Sequence, residues 1–431
     1  MSPDRAVTLC IPVWQAESFV AETIEAALGQ SHEPLRVVLS IDLSSDASAD
    51  VCRRYEADPR VEVIEQSERL GWVANVNFLL DQVATPYFSV LFHDDRIDPT
   101  YLERLVESAR LAPAAVCHYT DVINTNRPDV VRVCPSITGS RLQRMLQQLE
   151  LQTTIPIRGL MSTSSIGEIR LRDYGHQGAG AGVVWLFELL AAGECRRVAE
   201  PLYRKARLDG SVTAGLRKRE AEEVGRARLE KTRVMIDLAA AALPDEAERR
   251  TLVVGCLLHL VSRVRQQEAR RGAPLELEES LSALAQESLG VGDLDEIYEL
   301  PEAAEEALAG LLSRCFLYEG RLAAKEGRSD VAEARFRRAI ELRPDSVKAH
   351  SMLAGLLLQT GRSEWALEPA RRALELEPSS TSAYVRLGRA LLREGHAEQA
   401  RAVLRRGLAL VSQGDPKHAR MKTLLARAGG L

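Results

Sequence analysis

Glycine recurs at positions 327, 361 and 395, one every 34 residues. Alanine keeps the same step at 332, 366 and 400. Gly320, Ala354 and Gly388 form another small-residue register, and Phe316, His350 and Tyr384 fall where a large ring is favoured. Ala339 and Ala373 are followed by Gly407, and Pro344 and Pro378 by Ser412. A period of this length marks a supersecondary unit that cannot bury its apolar face alone and stacks on its neighbours. Small residues let two helices approach closely, glycine turns the chain between them, and proline ends the second helix. The expected units are 313–346, 347–380 and 381–414, closed by a capping helix at 416–428.

This pattern resembles the tetratricopeptide repeat, so residues 311–431 are expected to form an all-α solenoid with a concave groove. The groove would take a protein partner or an acceptor. Three repeats are near the minimum that stacks stably, so packing against a neighbouring domain or self-association are equally open.

The first half reads differently. Apolar runs at Val7–Val13, Leu35–Ile41, Val61–Ile64 and Tyr87–Phe92 have the length of buried strands. Between them Glu17–Leu28, Ala47–Tyr55, Val73–Val83 and Pro99–Leu111 carry apolar residues at helical spacing. Such alternation predicts an α/β fold with a mainly parallel sheet and helices on both faces. Cys117–Ile123 reads as a further strand, Arg141–Leu149 and Val183–Ala192 as helices, and Pro201–Ala206 as a short edge strand. Beyond Leu216 the strand signal stops, and 217–242, 246–271 and 277–289 read as helices rich in Ala, Glu, Arg and Leu. The expected domains are 1–215, a helical connector at 216–310, and the repeats at 311–431.

Bulk properties narrow the function. A net charge of −5 with interspersed signs argues against nucleic-acid binding. The seven cysteines form no CxxC and are widely spaced, so a zinc site or disulfide framework is not expected, and reduced thiols in the cytoplasm are. No basic-then-apolar leader opens the chain. The longest apolar stretches, near Ala179–Ala192 and Leu252–Val261, are too short or too polar to span a bilayer.

The chemistry concentrates where strands end. LFHDDRIDP places Asp94 and Asp95 after the run Tyr87–Phe92. Two adjacent carboxylates repel unless a cation lies between them and a ligand. IPVW puts Pro12, Val13 and Trp14 at the end of the first strand, where Trp14 could stack on a base. IDLSSD puts Asp42 at the end of the second strand, with Ser45 and Asp46 leading into a helix. GWVANVN starts a helix at Gly71 and carries Asn77. In a sheet of this topology all of these gather at the carboxyl edge, where open α/β folds bind ligands. A glycine-led helix offers amides to an anion.

With these residues in view, the segment from Val7 to Asp121 resembles the family-2 glycosyltransferases, which have the GT-A fold of nucleotide-diphospho-sugar transferases. The resemblance implies that Pro12, Val13, Trp14, Asp42, Ser45, Asp46, Gly71, Asn77 and Asp94 bind the donor. Asp42 would take the nucleobase, Asp94 would approach the ribose, and Asp95 would ligate Mn²⁺ or Mg²⁺. Leu186–Ser211 looks like the stretch that closes the family's catalytic domain. Two departures stand out. Val76 replaces an arginine, and the run Gly178-Ala179-Gly180-Ala181-Gly182 stands where the family places its general-base carboxylate. Glu188 or Asp173 could substitute, or the run could be a flexible lid. A histidine expected near the end of the domain is replaced by Leu208-Asp209.

The implied activity is metal-dependent, inverting transfer of a sugar from a nucleotide-diphospho-sugar to a saccharide, lipid-linked or protein acceptor. Asp94, Asp95 and Glu188 would be the catalytic carboxylates. The alternative is a catalytically impaired transferase-fold scaffold that works through its repeats.

Overall fold

The computed structural model describes residues 3–175, 178–206, 221–271, 277–291, 295–298, 302–412 and 414–429. These form two compact units, Met1–Cys256 with Glu287–Gly290, and Leu257–Gln286 with Val291–Leu431.

The first unit is built on a nine-stranded sheet in the order β3-β2-β1-β4-β8-β6-β9-β5, with β7 paired to β6. Strands β1 (Val7–Val13), β2 (Leu35–Ile41), β3 (Val61–Glu65) and β4 (Tyr87–Val90) form a parallel block. All of β1 and nearly all of β2 is buried, which is why both read as unbroken apolar runs. The chain moves outward from β1 to β2 to β3, then returns to place β4 on the other side of β1. This reversal is the switch point at which open α/β sheets leave a crevice. The register sharpens it. Val7–Val13 is matched in full by β2, but β4 stops opposite Cys10. The loop carrying Asp94 and Asp95 therefore starts three residues short of the end of β1.

The rest of the sheet is mixed: β5 (Arg96–Ile97), β6 (Cys117–Asn124), β7 (Arg127–Arg132), β8 (Leu160–Ser162) and β9 (Cys195–Lys205). The pairings β4–β8, β6–β8, β5–β9 and β6–β7 are antiparallel, while β6–β9 is parallel. The stretch expected as a short edge strand at Pro201–Ala206 is instead the end of the eleven-residue β9, which pairs with β6 on one side and β5 on the other. Proline lacks an amide donor, and the β6–β9 register accordingly shifts between Thr120 and Val122, where Pro201 falls. Strands β5, β7 and β8 are two, six and three residues long. β5 and β8 are too short to show a period, and β7 is exposed along its whole length.

Helices α1 (Val20–Leu28), α2 (Ser48–Arg53), α3 (Trp72–Asp81) and α4 (Tyr101–Leu111) fall within the expected segments to a residue or two, except that α1 starts three residues late and α2 is shortened at both ends. Helix α5 (Arg141–Leu151) opens on a capping box formed by Ser140 and Gln143. It is followed by α6 (Thr163–Ile166) and α7 (Ala181–Ala192). The connector helices are α8 (Ala221–Ala242), α9 (Glu246–Arg271) and α10 (Glu278–Leu289).

In the second unit, α11 (Glu302–Lys325) with α12 (Ser329–Leu342), α13 (Val347–Gln359) with α14 (Ser363–Leu376), and α15 (Thr381–Arg393) with α16 (Ala397–Leu408) are the three helix pairs. Helix α17 (Pro416–Arg427) caps them, its first turn held by the Asp415 carboxylate accepting from the Lys417 amide. The turn glycines 327, 361 and 395 have φ of 80°, 81° and 79°, a region that strains any side chain bearing a Cβ. Ala332, Ala366 and Ala400 are fully buried. At Gly320 an added Cβ would lie 2.7 Å from the Phe336 ring, so the register of small residues is a register of close helix approach. The first helix of the first pair starts at 302 rather than near 313.

All seven cysteines are unpaired and buried. Burial pushes the thiols of Cys10, Cys52 and Cys256 up to about 12. Among the described residues no helix is long and apolar enough to cross a membrane.

Candidate active site

The two carboxylates after β4 have opposite surroundings. Asp95 is 1% exposed. Its Oδ1 accepts from the Ala206 amide at 2.8 Å, and its Oδ2 accepts from the Tyr203 hydroxyl at 2.7 Å and from Arg158 Nε at 3.3 Å. Asp94 is only half-buried, and among the described residues it has no hydrogen bond or ion pair to another side chain. Burial, and next the charge of Asp95, raise its carboxyl above the usual range. Nearby, burial and the Arg158 charge lower the Lys205 ammonium to about 8, against the pull of Asp95 and Asp94. Burial works against the Arg158 charge, but Asp95, Tyr203 and Asp94 outweigh it and hold the guanidinium protonated.

Neighbouring elements fix this loop. The Thr23 hydroxyl on α1 reaches the carbonyls of His93 and Asp95 at 2.8 and 2.9 Å. His93 Nδ1 lies 2.9 Å from the Pro12 carbonyl of β1. Arg158, Tyr203 and Lys205 were not foreseen. Arg158 is the only charge in the apolar stretch Ile155–Ser162, and Tyr203 and Lys205 alternate along β9 onto one face. That alternation was readable, but Pro201 disguised the strand.

The remaining predicted residues fall into separate clusters. Asp42, 1% exposed, accepts from the amides of Leu70 at 2.6 Å and Gly71 at 3.0 Å, and pairs with Arg69. It anchors the turn into α3, where Gly71 takes φ 82°. Arg69 in turn lies over the Trp14 ring, 4.1 Å from its centroid, with Trp14 42% exposed. Asp46 accepts from the Glu17 amide and from the Ser48 amide and hydroxyl, which tie the loop after β1 to the start of α2. Ser45 accepts from Gln15 Nε2 at 2.8 Å. Asn77 exchanges two hydrogen bonds with the backbone of Leu171, at 2.8 and 2.9 Å. Asn75, which the sequence reading passed over, is the asparagine bonded to the sheet, through Ser40. Pro12 and Val13 are buried in β1.

Glu188 on α7 is held bidentately by Arg172 at 2.8 and 3.1 Å. Asp173 Oδ1 accepts from the Gly175 amide. The glycine-alanine run is closely packed. A Cβ at Gly178 would lie 2.3 Å from Trp72 Nε1, and one at Gly182 would lie 2.8 Å from Ile157. Close packing selects glycine there. Leu208, Asp209 and Ser211 lie outside the described residues.

These contacts bear on metal binding. Asp95, the residue expected to ligate Mn²⁺ or Mg²⁺, has both oxygens occupied, one of them by a cation. No group of three or more His, Cys, Asp or Glu able to hold a metal occurs among the described residues. Magnesium sites of the substrate-assisted kind need only one or two carboxylates, with phosphates and water completing the shell. Asp94 fits that requirement and Asp95 does not.

Comparison with known proteins agrees with this architecture. Residues 8–169 match the glycosyl transferase family 2 model, and residues 317–383 and 381–419 match tetratricopeptide-repeat models. The chain thus joins a segment matched by the family 2 glycosyltransferase model to one matched by tetratricopeptide-repeat models. The glycosyltransferase GlyA of Streptococcus pneumoniae is 30% identical over 106 residues, 24% of this chain and 15% of that protein. The succinoglycan biosynthesis protein ExoO of Rhizobium meliloti is 29% identical over 154 residues, 35% of this chain and 40% of that protein. The chain thus spans less than half the length of either relative. The crystal structure of S. aureus TarS 1–349 in complex with UDP-GlcNAc aligns over 83% of this chain and 92% of that one, with 12% identity and a TM-score of 0.49.

Proposed function

We propose that the domain at residues 1–215 transfers a glycosyl group from a nucleotide-diphospho-sugar to an acceptor hydroxyl, with Asp94 and Lys205 at its reacting centre. The observation that carries this reading is the carboxylate left open, among the described residues, at the switch point of the sheet. Of the six carboxylates singled out from the sequence, Asp42, Asp46, Asp95, Asp173 and Glu188 are engaged by partners, and among the described residues Asp94 is not. Lys205 supplies positive charge for a diphosphate, and Trp14 with Arg69 offers a flat cationic platform for a base. Arg158 and Tyr203 act through Asp95 to fix the loop that bears Asp94.

In the transfer, the acceptor oxygen bonds to the anomeric carbon from the face opposite the diphosphate, inverting it. The bond from that carbon to the diphosphate oxygen breaks with its electron pair, and the acceptor proton leaves to a base. The developing charge on the departing diphosphate is the principal feature to stabilise. A Mn²⁺ or Mg²⁺ ion held by Asp94 would neutralise that charge when bound. The repeats would hold the acceptor or a protein partner.

The test is a thermal-shift and calorimetric panel of UDP-, GDP-, CMP- and dTDP-sugars with and without Mn²⁺. Selective stabilisation by one family of nucleotides supports the reading, since a ligand that binds only the folded state raises its stability by mass action. No response from any of them favours the second reading, a transferase-fold scaffold, which rests on the pairing of Glu188 with Arg172 and the close-packed glycines where a base was expected.

A further inference from the structure

The repeat unit segregates its charge. The first helices of the second and third pairs, α13 and α15, and the capping helix α17 contain no Asp or Glu. The second helices α12, α14 and α16 carry Asp330, Glu333, Glu341, Glu364, Glu368, Glu375 and Glu398 between them. On the acid-free helices the arginines repeat with the fold. Arg386 and Arg420 are 34 residues apart, as are Arg393 and Arg427, and Arg389 lies one turn from both Arg386 and Arg393.

Among the described residues these five arginines make no ion pair. Arg386 donates to the Ser351 hydroxyl of α13 at 2.5 Å and lies against Gly355, where a Cβ would be 3.1 Å from its Nε. Arg393 donates to the Leu358 carbonyl. These two arginines are thus held in place by neutral groups. Burial, followed by the neighbouring Arg420, weakens the protonation of Arg386, and burial with Arg393, Arg420 and Arg427 does the same to Arg389. Like charges held together without a counter-ion cost stability, and their planar forks suit carboxylate and phosphate oxygens.

The same helices argue against a peptide. Tight peptide docking draws on apolar or aromatic anchors. None of the exposed large hydrophobic residues lies on α13, α15 or α17. A ladder of cations without anchors fits a hydrophilic chain with anionic groups along its length.

We propose that the α13–α15–α17 face binds a linear acidic glycan, gripping successive anionic groups with arginines one repeat apart. That this glycan is the acceptor, or a polymer bearing it, rests on the transferase reading above. The binding itself does not.

The test uses the full chain and needs no sugar donor. Polygalacturonate, neutral dextran and poly-glutamate are titrated by calorimetry at two salt concentrations. We expect polygalacturonate to bind and to weaken as salt rises, and dextran not to bind. Arg389→Ala/Arg420→Ala/Arg427→Ala should weaken binding at least tenfold. Arg371→Ala/Arg405→Ala/Arg406→Ala, with the same change in net charge on the second helices, should leave it unchanged. Circular dichroism checks that both triple variants fold. If the first does not, the salt and polymer comparison on the wild type decides. Equal weakening by both variants, or absence of polygalacturonate binding, overturns the proposal. Poly-glutamate binding at least as tightly as polygalacturonate assigns the face to acidic peptides and also overturns it. Absence of glycosyl transfer with binding intact would count against the transferase reading alone.

Discussion

Arg158 Nε donates to Asp95 Oδ2 at 3.3 Å, and the two side chains are 10% and 2% exposed. The pair joins the loop after β4 to the segment before β8, while Tyr203 and the Ala206 amide bring in the end of β9. Three strand ends are thereby locked around a charge that faces no solvent. Removing one partner of such a pair leaves an uncompensated buried ion. Arg158→Met should therefore destabilise the first unit by about 3–5 kcal/mol. Urea unfolding followed by the near-ultraviolet signal measures it. A loss below about 1 kcal/mol would show that the pair is dispensable.

Asp94→Asn should behave in the opposite way. The folded protein holds this carboxyl above its usual value, chiefly through burial. A group with a raised folded pKa contributes stability that is complete below the unfolded value and lost as pH rises through the folded one. Ionisation of Asp94 therefore costs the fold stability, and its amide should melt at the same temperature or higher. Nucleotide-sugar turnover should fall by at least a hundredfold. A variant that is both unstable and active would place Asp94 in the structure and not in the chemistry.

Lys205 gives a pH signature. Its folded value of about 8 lies below the ordinary 10.5, so the fold prefers the neutral amine. Its contribution to stability is complete above 10.5 and lost as pH falls through about 8. Binding of a diphosphate asks for the charged form. From pH 7 to pH 9 the charged fraction drops about tenfold, and UDP affinity should fall with it. Lys205→Arg keeps its charge over this range and should flatten the profile. Calorimetric titration at four pH values distinguishes the two.

Glu188→Gln should alter turnover by less than tenfold. Its carboxylate is committed to Arg172, whereas loss of a general base costs about 10²–10⁴-fold. A loss in that range with Arg172→Ala remaining active would restore Glu188 as the base.

Gly320→Val places a Cβ 2.7 Å from the Phe336 ring and 3.1 Å from the Ala332 carbonyl and adds two methyl groups beyond it. We expect about 1–3 kcal/mol of destabilisation, read from the helical signal, with nucleotide binding unchanged.

Much of this architecture was legible because it is carried by local pattern. The strands Val7–Val13 and Leu35–Ile41 match their apolar runs residue for residue, and Gly327, Gly361 and Gly395 mark turns that only a left-handed backbone completes. What was not legible depends on pairing at a distance. The sequence offers Asp94 and Asp95 as equals. It is Arg158, 63 residues away, and Tyr203, 108 away, that remove Asp95 from the open site. The hydrogen bonds that Asp42 accepts from the amides of Leu70 and Gly71 likewise leave no mark in side-chain chemistry. β9 was shortened because Pro201, a strand breaker in most settings, falls on a bulge.

The burial of every thiol makes the chain its own reporter of opening. Six cysteines stand in the first unit and Cys315 stands alone in the second. An alkylating reagent should leave the native protein unmodified and tag each sulfur only when the segment around it comes apart. The order in which the seven masses appear under rising denaturant would then rank the local stabilities of the two units without any engineered probe.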